Sequence, residues 1–188
     1  MKPLPATYFS FISWALLLSS CTEITFTQPQ PSDATPLKEI PASLVGSYLT
    51  RDPKTGELGD TIVVESWGYR LKDKDEKDWL QHGVISDSLV VKYSDNYYFV
   101  NFRTKTNHWI LRLIHPTANG SIELFRINLD DEKKRKEILK KLGSLTNYRL
   151  INANGDKFYQ TNPSVKQLKS MIHGGLFELW AVGIKLKK

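Results

Sequence analysis

From Leu44 to Ile127 the chain is cut by turn residues into short runs of β-branched and aromatic side chains, and no other pattern limits its fold so strongly. The runs are 44–51, 60–66, 67–72, 79–85, 88–93, 97–102, 108–114 and 121–127. Val, Ile, Thr, Tyr, Phe and Trp fit a pleated, half-buried surface, so runs of this length read as strands. Asp52-Pro53-Lys54-Thr55-Gly56 is a turn in which proline presets φ and glycine permits φ > 0. Ser94-Asp95-Asn96 and the longer connection ending in Asn119-Gly120 read as hairpin turns for the same reason. Tyr97, Tyr98 and Phe99 are consecutive, so alternation forbids all three from facing one side.

Two helical patterns interrupt the strands late in the chain. Asn128 or Asp130 caps the first, Ile138, Leu139 and Leu142 form its apolar side, and Gly143 ends it. Asn162-Pro163 opens the second, which runs to about His173 with Val165, Leu168, Met171 and Ile172 at helical spacing, and Gly174-Gly175 stops it. Segments 145–151, 157–160 and 176–186 return to strand, with Asn154-Gly155 as a turn. The expected fold class is mainly β: an antiparallel meander curled into a barrel or strongly bent sheet, with two helices in the C-terminal third. Gly46-Ser47-Tyr48 stands where lipocalins carry Gly-x-Trp in their first strand. In this respect the domain resembles a lipocalin-like barrel, with Tyr in place of Trp and the two helices departing from that family's strand order.

The N-terminus has the layout of a secretory signal. Lys2 and the amino terminus give the positive start, residues 8–18 the apolar core, and Ser19 and Ser20 the small residues that follow. The apolar run is shorter than the ~20 residues that span a bilayer. Leu18-Ser19-Ser20-Cys21 resembles the lipobox of bacterial lipoproteins, an aliphatic residue and two small residues before a cysteine. The resemblance implies cleavage between Ser20 and Cys21, a diacylglyceryl thioether on the Cys21 sulfur and an acylated new amino terminus. Thr22, where retained lipoproteins carry Asp, implies sorting to the outer membrane of a diderm cell envelope. Cys21 is the only cysteine, so no disulfide forms within the chain. The expected organisation is a cleaved lipoprotein signal peptide over 1–20, a lipidated cysteine with a Pro-rich linker over 21–43, and a β-rich globular domain over 44–188. Pro29, Pro31, Pro36 and Pro41 suggest an extended linker with no core of its own.

The net charge is +6. Much of it lies in Lys133-Lys134-Arg135-Lys136 with Lys140 and Lys141. This run could bind phosphate or lipid head groups. It also reads as a solvated helix face, because Asp130, Asp131, Glu132 and Glu137 each stand four residues before a base. Aromatics gather at Trp67, Tyr69, Trp79, Tyr93, Tyr97, Tyr98, Phe99, Phe102 and Trp109. Trp67, Tyr69, Tyr97, Tyr98 and Trp109 are the candidate binding surface, either stacking a ligand or lining an apolar pocket. Packing in a filled core is the competing role.

Chemistry-bearing motifs are sparse. His82, His108, His115 and His173 show no metal-ligand spacing, and no second cysteine supports a zinc site. Asp73-x-Asp75 lacks the rest of a calcium loop, with Lys77 where a ligand belongs. Lys54-Thr55-Gly56 and Ser94-Asp95-Asn96 match penicillin-recognising motifs, but in reversed order and without Ser-x-x-Lys. No nucleophile elbow, P-loop or dinucleotide fingerprint occurs. The reading that follows is a membrane-anchored envelope lipoprotein, not an enzyme, with no cofactor, no metal and no nucleic-acid partner. Its acyl chains on Cys21 hold the membrane, and its β-rich domain binds an envelope protein or an apolar ligand. The alternative is a structural or protein-interaction lipoprotein with a filled core and no small ligand.

Overall fold

In the computed structural model, which describes residues 22–72, 81–153 and 156–187, strands dominate. In chain order they are β1 (Glu23–Phe26), β2 (Gly46–Arg51), β3 (Leu58–Glu65), β4 (Gly68–Leu71), β5 (His82–Val84), β6 (Leu89–Ser94), β7 (Tyr97–Arg103), β8 (Trp109–Pro116) and β9 (Ile122–Arg126). Helix α1 (Glu132–Leu145), strands β10 (Tyr148–Ala153) and β11 (Asp156–Thr161), helix α2 (Val165–His173) and strand β12 (Glu178–Lys185) complete it. Trp79 and the Asn154-Gly155 turn lie outside the described residues, as do Ser20 and Cys21. No helix among the described residues is long and apolar enough to cross a membrane.

Local sequence explains the turns and caps. Asp95 and Asn96 take φ of 49° and 64°, the left-handed pair that a two-residue hairpin needs between β6 and β7. The Asp52 carboxylate accepts from the Lys54 and Thr55 amides at 2.6 and 2.9 Å and so folds the turn before Gly56. Asp131 caps α1 by accepting from the Lys134 amide, and Ser164 and Gln167 form a reciprocal capping box on α2. Gly143 does not end α1, which runs on to Leu145 before Thr146 caps it. Of the acid–base pairs expected along this helix, Glu132–Lys136 forms at 2.9 Å, whereas Asp130 bonds Arg126 and Lys141 bonds the Gly174 carbonyl.

The expected barrel or strongly bent meander is not what forms. The twelve strands make one mixed sheet that is neither closed nor strongly curled. Its long path runs β10-β11-β1-β8-β9-β12-β2-β3-β4-β5, and β7 and β6 branch from β8. The branch arises because β8 is shared. β7 pairs along one edge of it, while β1 and β9 take successive parts of the other, β1 at Trp109 and Ile110 and β9 from Leu113 to Pro116. β1 also pairs in parallel with β11, which carries the β10–β11 hairpin away as a second limb. A segment inserted at this fork leads the sheet outward instead of back on itself. Gly46-Ser47-Tyr48 opens β2, not the first strand. Tyr48 is fully buried, and its hydroxyl donates to the Leu44 carbonyl at 2.9 Å.

The segment read as a linker is part of the fold. Ile24 and Phe26 are 3% and 1% exposed and sit in the core. The prolines that follow remove donors but leave carbonyls, and these are taken up by buried donors from the sheet. Lys92 Nζ donates to the Pro29 and Pro31 carbonyls at 3.1 and 2.8 Å. Asn101 exchanges two hydrogen bonds with the Gln30 backbone, at 2.7 and 2.8 Å. Further along, the Leu37 amide bonds the Val91 carbonyl and the Ile40 amide the Ser66 carbonyl, both at 2.8 Å.

Both faces of β7 and β8 are covered, which explains why their strands are apolar except for Asn101 and Arg112 and the strand ends. One face packs Phe99, Trp109, Leu111 and Leu113 against Leu142 of α1 and Leu168 and Met171 of α2. The other gathers Tyr98, Val100, Phe102 and Ile110 with Val64, Leu89, Ile122 and Leu124. On this face the side chains leave space.

Candidate functional site

Alternate residues of β3, β6, β7, β8 and β9 point into a cavity of about 450 Å³ on the face away from the helices. Its wall is mostly aliphatic and aromatic, including Ile62, Val91, Val100, Phe102 and Leu124. That volume lies within the range of small-molecule sites. Strand alternation produces the wall directly: Ile122 and Leu124 on β9, and Ile114 on β8, share one face and line it.

The same alternation carries two arginines onto the apolar face. Arg112 stands between Ile110 and Ile114, and Arg126 follows Ile122 and Leu124 at even spacing. Both line the cavity. One step beyond the Leu113–Phe125 pair, the antiparallel register sets them opposite each other at the fork. Arg112 grips both carboxylate oxygens of Glu23, with contacts of 3.2 to 3.3 Å. Burial pushes the Glu23 carboxyl above its ordinary pKa, and the Arg112 guanidinium opposes that rise. Arg126 bonds Asp130 at 3.3 Å and lies 5.8 Å from the Trp180 ring centre, a cation–π arrangement. Its Nε is buried and meets no acceptor among the described residues, and the buried Oε1 of Gln81 meets no donor there. Asp60, Gln81, Trp180 and the two arginines thus give the cavity polar groups as well as an apolar body.

The five aromatics expected to form a binding surface do not converge. Tyr69 and Tyr98 line the cavity, and Tyr69 meets Phe102 edge-on at 6.2 Å. Tyr97 turns to the helix-covered face, where it contacts His115 and Phe125, and Trp109 is buried in that same core. Trp67 is 41% exposed in the β3–β4 turn, and its indole donates to Glu65 at 2.7 Å. Sequence reasoning missed Glu23, Arg112, Arg126 and Trp180. The signal for the arginines was present in the i, i+2 spacing from known apolar positions.

The histidines sit apart in other roles. His108 accepts from the Gln160 amide at 2.6 Å, while Gln160 in turn accepts from Arg149 at 2.6 and 3.0 Å. Burial and then the Arg149 guanidinium lower the His108 pKa. His115 contacts Glu123 at 3.0 Å. No group of three or more His, Cys, Asp or Glu able to hold a metal occurs among the described residues. No family model, no curated protein and no solved structure matches this chain.

Proposed function

We propose that this chain is a lipid-anchored cell-envelope protein whose β-rich domain holds an apolar ligand in the cavity between β3 and β6–β9. The cavity carries the binding half of this reading: a filled core was the competing role for these side chains, and about 450 Å³ of apolar-walled space is ample for a small ligand. The Arg126 Nε and the Gln81 Oε1, buried without partners among the described residues, favour a ligand with an apolar body and a polar end, because buried polar groups need partners. The lipobox-like Leu18-Ser19-Ser20-Cys21 supports the anchor.

Binding is tested by titrating the mature chain with a dansyl-labelled fatty acid. Wild-type protein is expected to enhance the dansyl emission saturably. Val100→Trp, which fills the cavity, is expected to weaken binding at least about tenfold, because overpacking leaves the probe no space. Equal binding by the two proteins, or none by wild type, counts against the proposal. Anchoring is tested separately: Cys21→Ser should release the protein from the membrane fraction, and retention there would sink the lipoprotein reading.

A further inference from the structure

We infer that the polar end of the cavity, at Glu23, Arg112, Arg126 and Trp180, lies against the bilayer in which the chain is anchored. The inference rests on the lipid-anchor reading above and adds to it an orientation and a surface. β1 begins at Glu23, only two residues after Cys21, so no linker separates the anchor from the sheet. Two residues of extended chain reach about 7 Å at most. The Glu23 carboxylate is bound to Arg112, a cavity-lining residue, and that hydrogen-bonded pair fixes the tether point to the cavity wall. A diacylglyceryl group on Cys21 sits with its glycerol at the membrane interface, so the interface must approach this end of the sheet and no other.

The exposed chemistry there fits a lipid surface. Trp180 is 39% exposed yet lines the cavity, and indole rings favour the headgroup level, where one edge is apolar and the other wet. Leu58, at the start of β3 where β2 ends, is 65% exposed. Charge does not drive the contact. Glu23 is matched by Arg112, Asp130 by Arg126 and Glu178 by Lys54, the last at 4.0 Å. Apposition therefore comes from the tether and the apolar side chains and should not depend on anionic lipid. A ligand entering beside Trp180 would come from the bilayer, which makes a lipid acyl chain the class of ligand offered to the cavity.

The test uses the acylated full chain in phosphatidylcholine vesicles. Acylated Cys21 leaves no free thiol, so a cysteine introduced elsewhere takes a fluorophore specifically. Labels are placed at Trp180→Cys and Leu58→Cys, and at Ala118→Cys in the β8–β9 turn at the far end of β9. Spin-labelled lipid is expected to quench the labels at 180 and 58 at least about threefold more than the label at 118, as befits an interfacial position. Inserting about a dozen Gly and Ser residues between Cys21 and Thr22 should erase the difference, because a flexible tether frees the orientation. Intact mass is read first. A chain with no lipid on Cys21 overturns the anchor reading and this inference together. An acylated chain quenched equally at all three sites, or most at 118, overturns the inference alone.

Discussion

The buried charges make the most specific residue-scale predictions. Glu23 has a raised carboxyl pKa, so the folded state holds its proton at pH values where the unfolded chain, near 4.5, has released it. The contribution of Glu23 to folding stability then falls as pH rises from about 4.5 through the folded value. Glu23→Gln removes that slope, so the melting temperature of the variant minus that of wild type should grow from pH 4.5 towards neutrality. A shrinking difference would mean that the Arg112 pair outweighs burial. Lys92 is 6% exposed and its pKa is lowered by burial, with Asp33 opposing. It donates to two carbonyls of the proline segment. Lys92→Met should cost about 1–3 kcal/mol by leaving those acceptors unmade, and an unchanged denaturant midpoint would contradict that role. Neither role was legible from the chain, because a lysine in a strand ordinarily reads as solvent-facing. Arg112 and Arg126 were closer to legible, since their even spacing from Ile110 and Ile122 already placed them on the apolar side.

At the scale of elements, the strands and helices downstream of Leu44 were readable because period-2 runs, turn residues and helix caps are local signals. Asp95-Asn96 and Gly174-Gly175 each do what their chemistry favours, whereas α2 opens at Ser164, two residues after the Asn162 expected to open it. β1 was hidden for two reasons: it spans four residues, and four prolines crowd the stretch behind it. What recruits it is non-local, a parallel pairing with β11 more than 130 residues away and a shared edge on β8. Phe26→Ala should therefore destabilise the protein by about 3–5 kcal/mol, as for a core aromatic. Deleting 22–40 should abolish a cooperative melt, whereas loss of a true linker would change neither. β4 and β5 approach so closely that a Cβ at Gly68 would overlap the Gly83 carbonyl oxygen. Gly68→Ala should open this edge, seen as faster amide exchange at Tyr69 and Gly83, and unchanged protection would argue against so tight a contact.

For the whole molecule, class was legible and topology was not. The composition of the strands announced a mainly β domain with two helices. Whether the sheet wraps or branches depends on which strand claims which edge of β8, and register between distant strands leaves little trace in a single sequence. One face of β7–β9 is filled by α1 and α2, while the other borders an apolar space lined also by β3 and β6, with two arginines at one end. Native mass spectrometry of the chain from Thr22 onward, set beside its denatured mass, tests that space most directly. The expected result is an added mass that survives gentle ionisation, leaves on denaturation and is lost in Val100→Trp. A bare mass that stays bare after incubation with long-chain fatty acids and phospholipids would contradict a ligand-holding cavity.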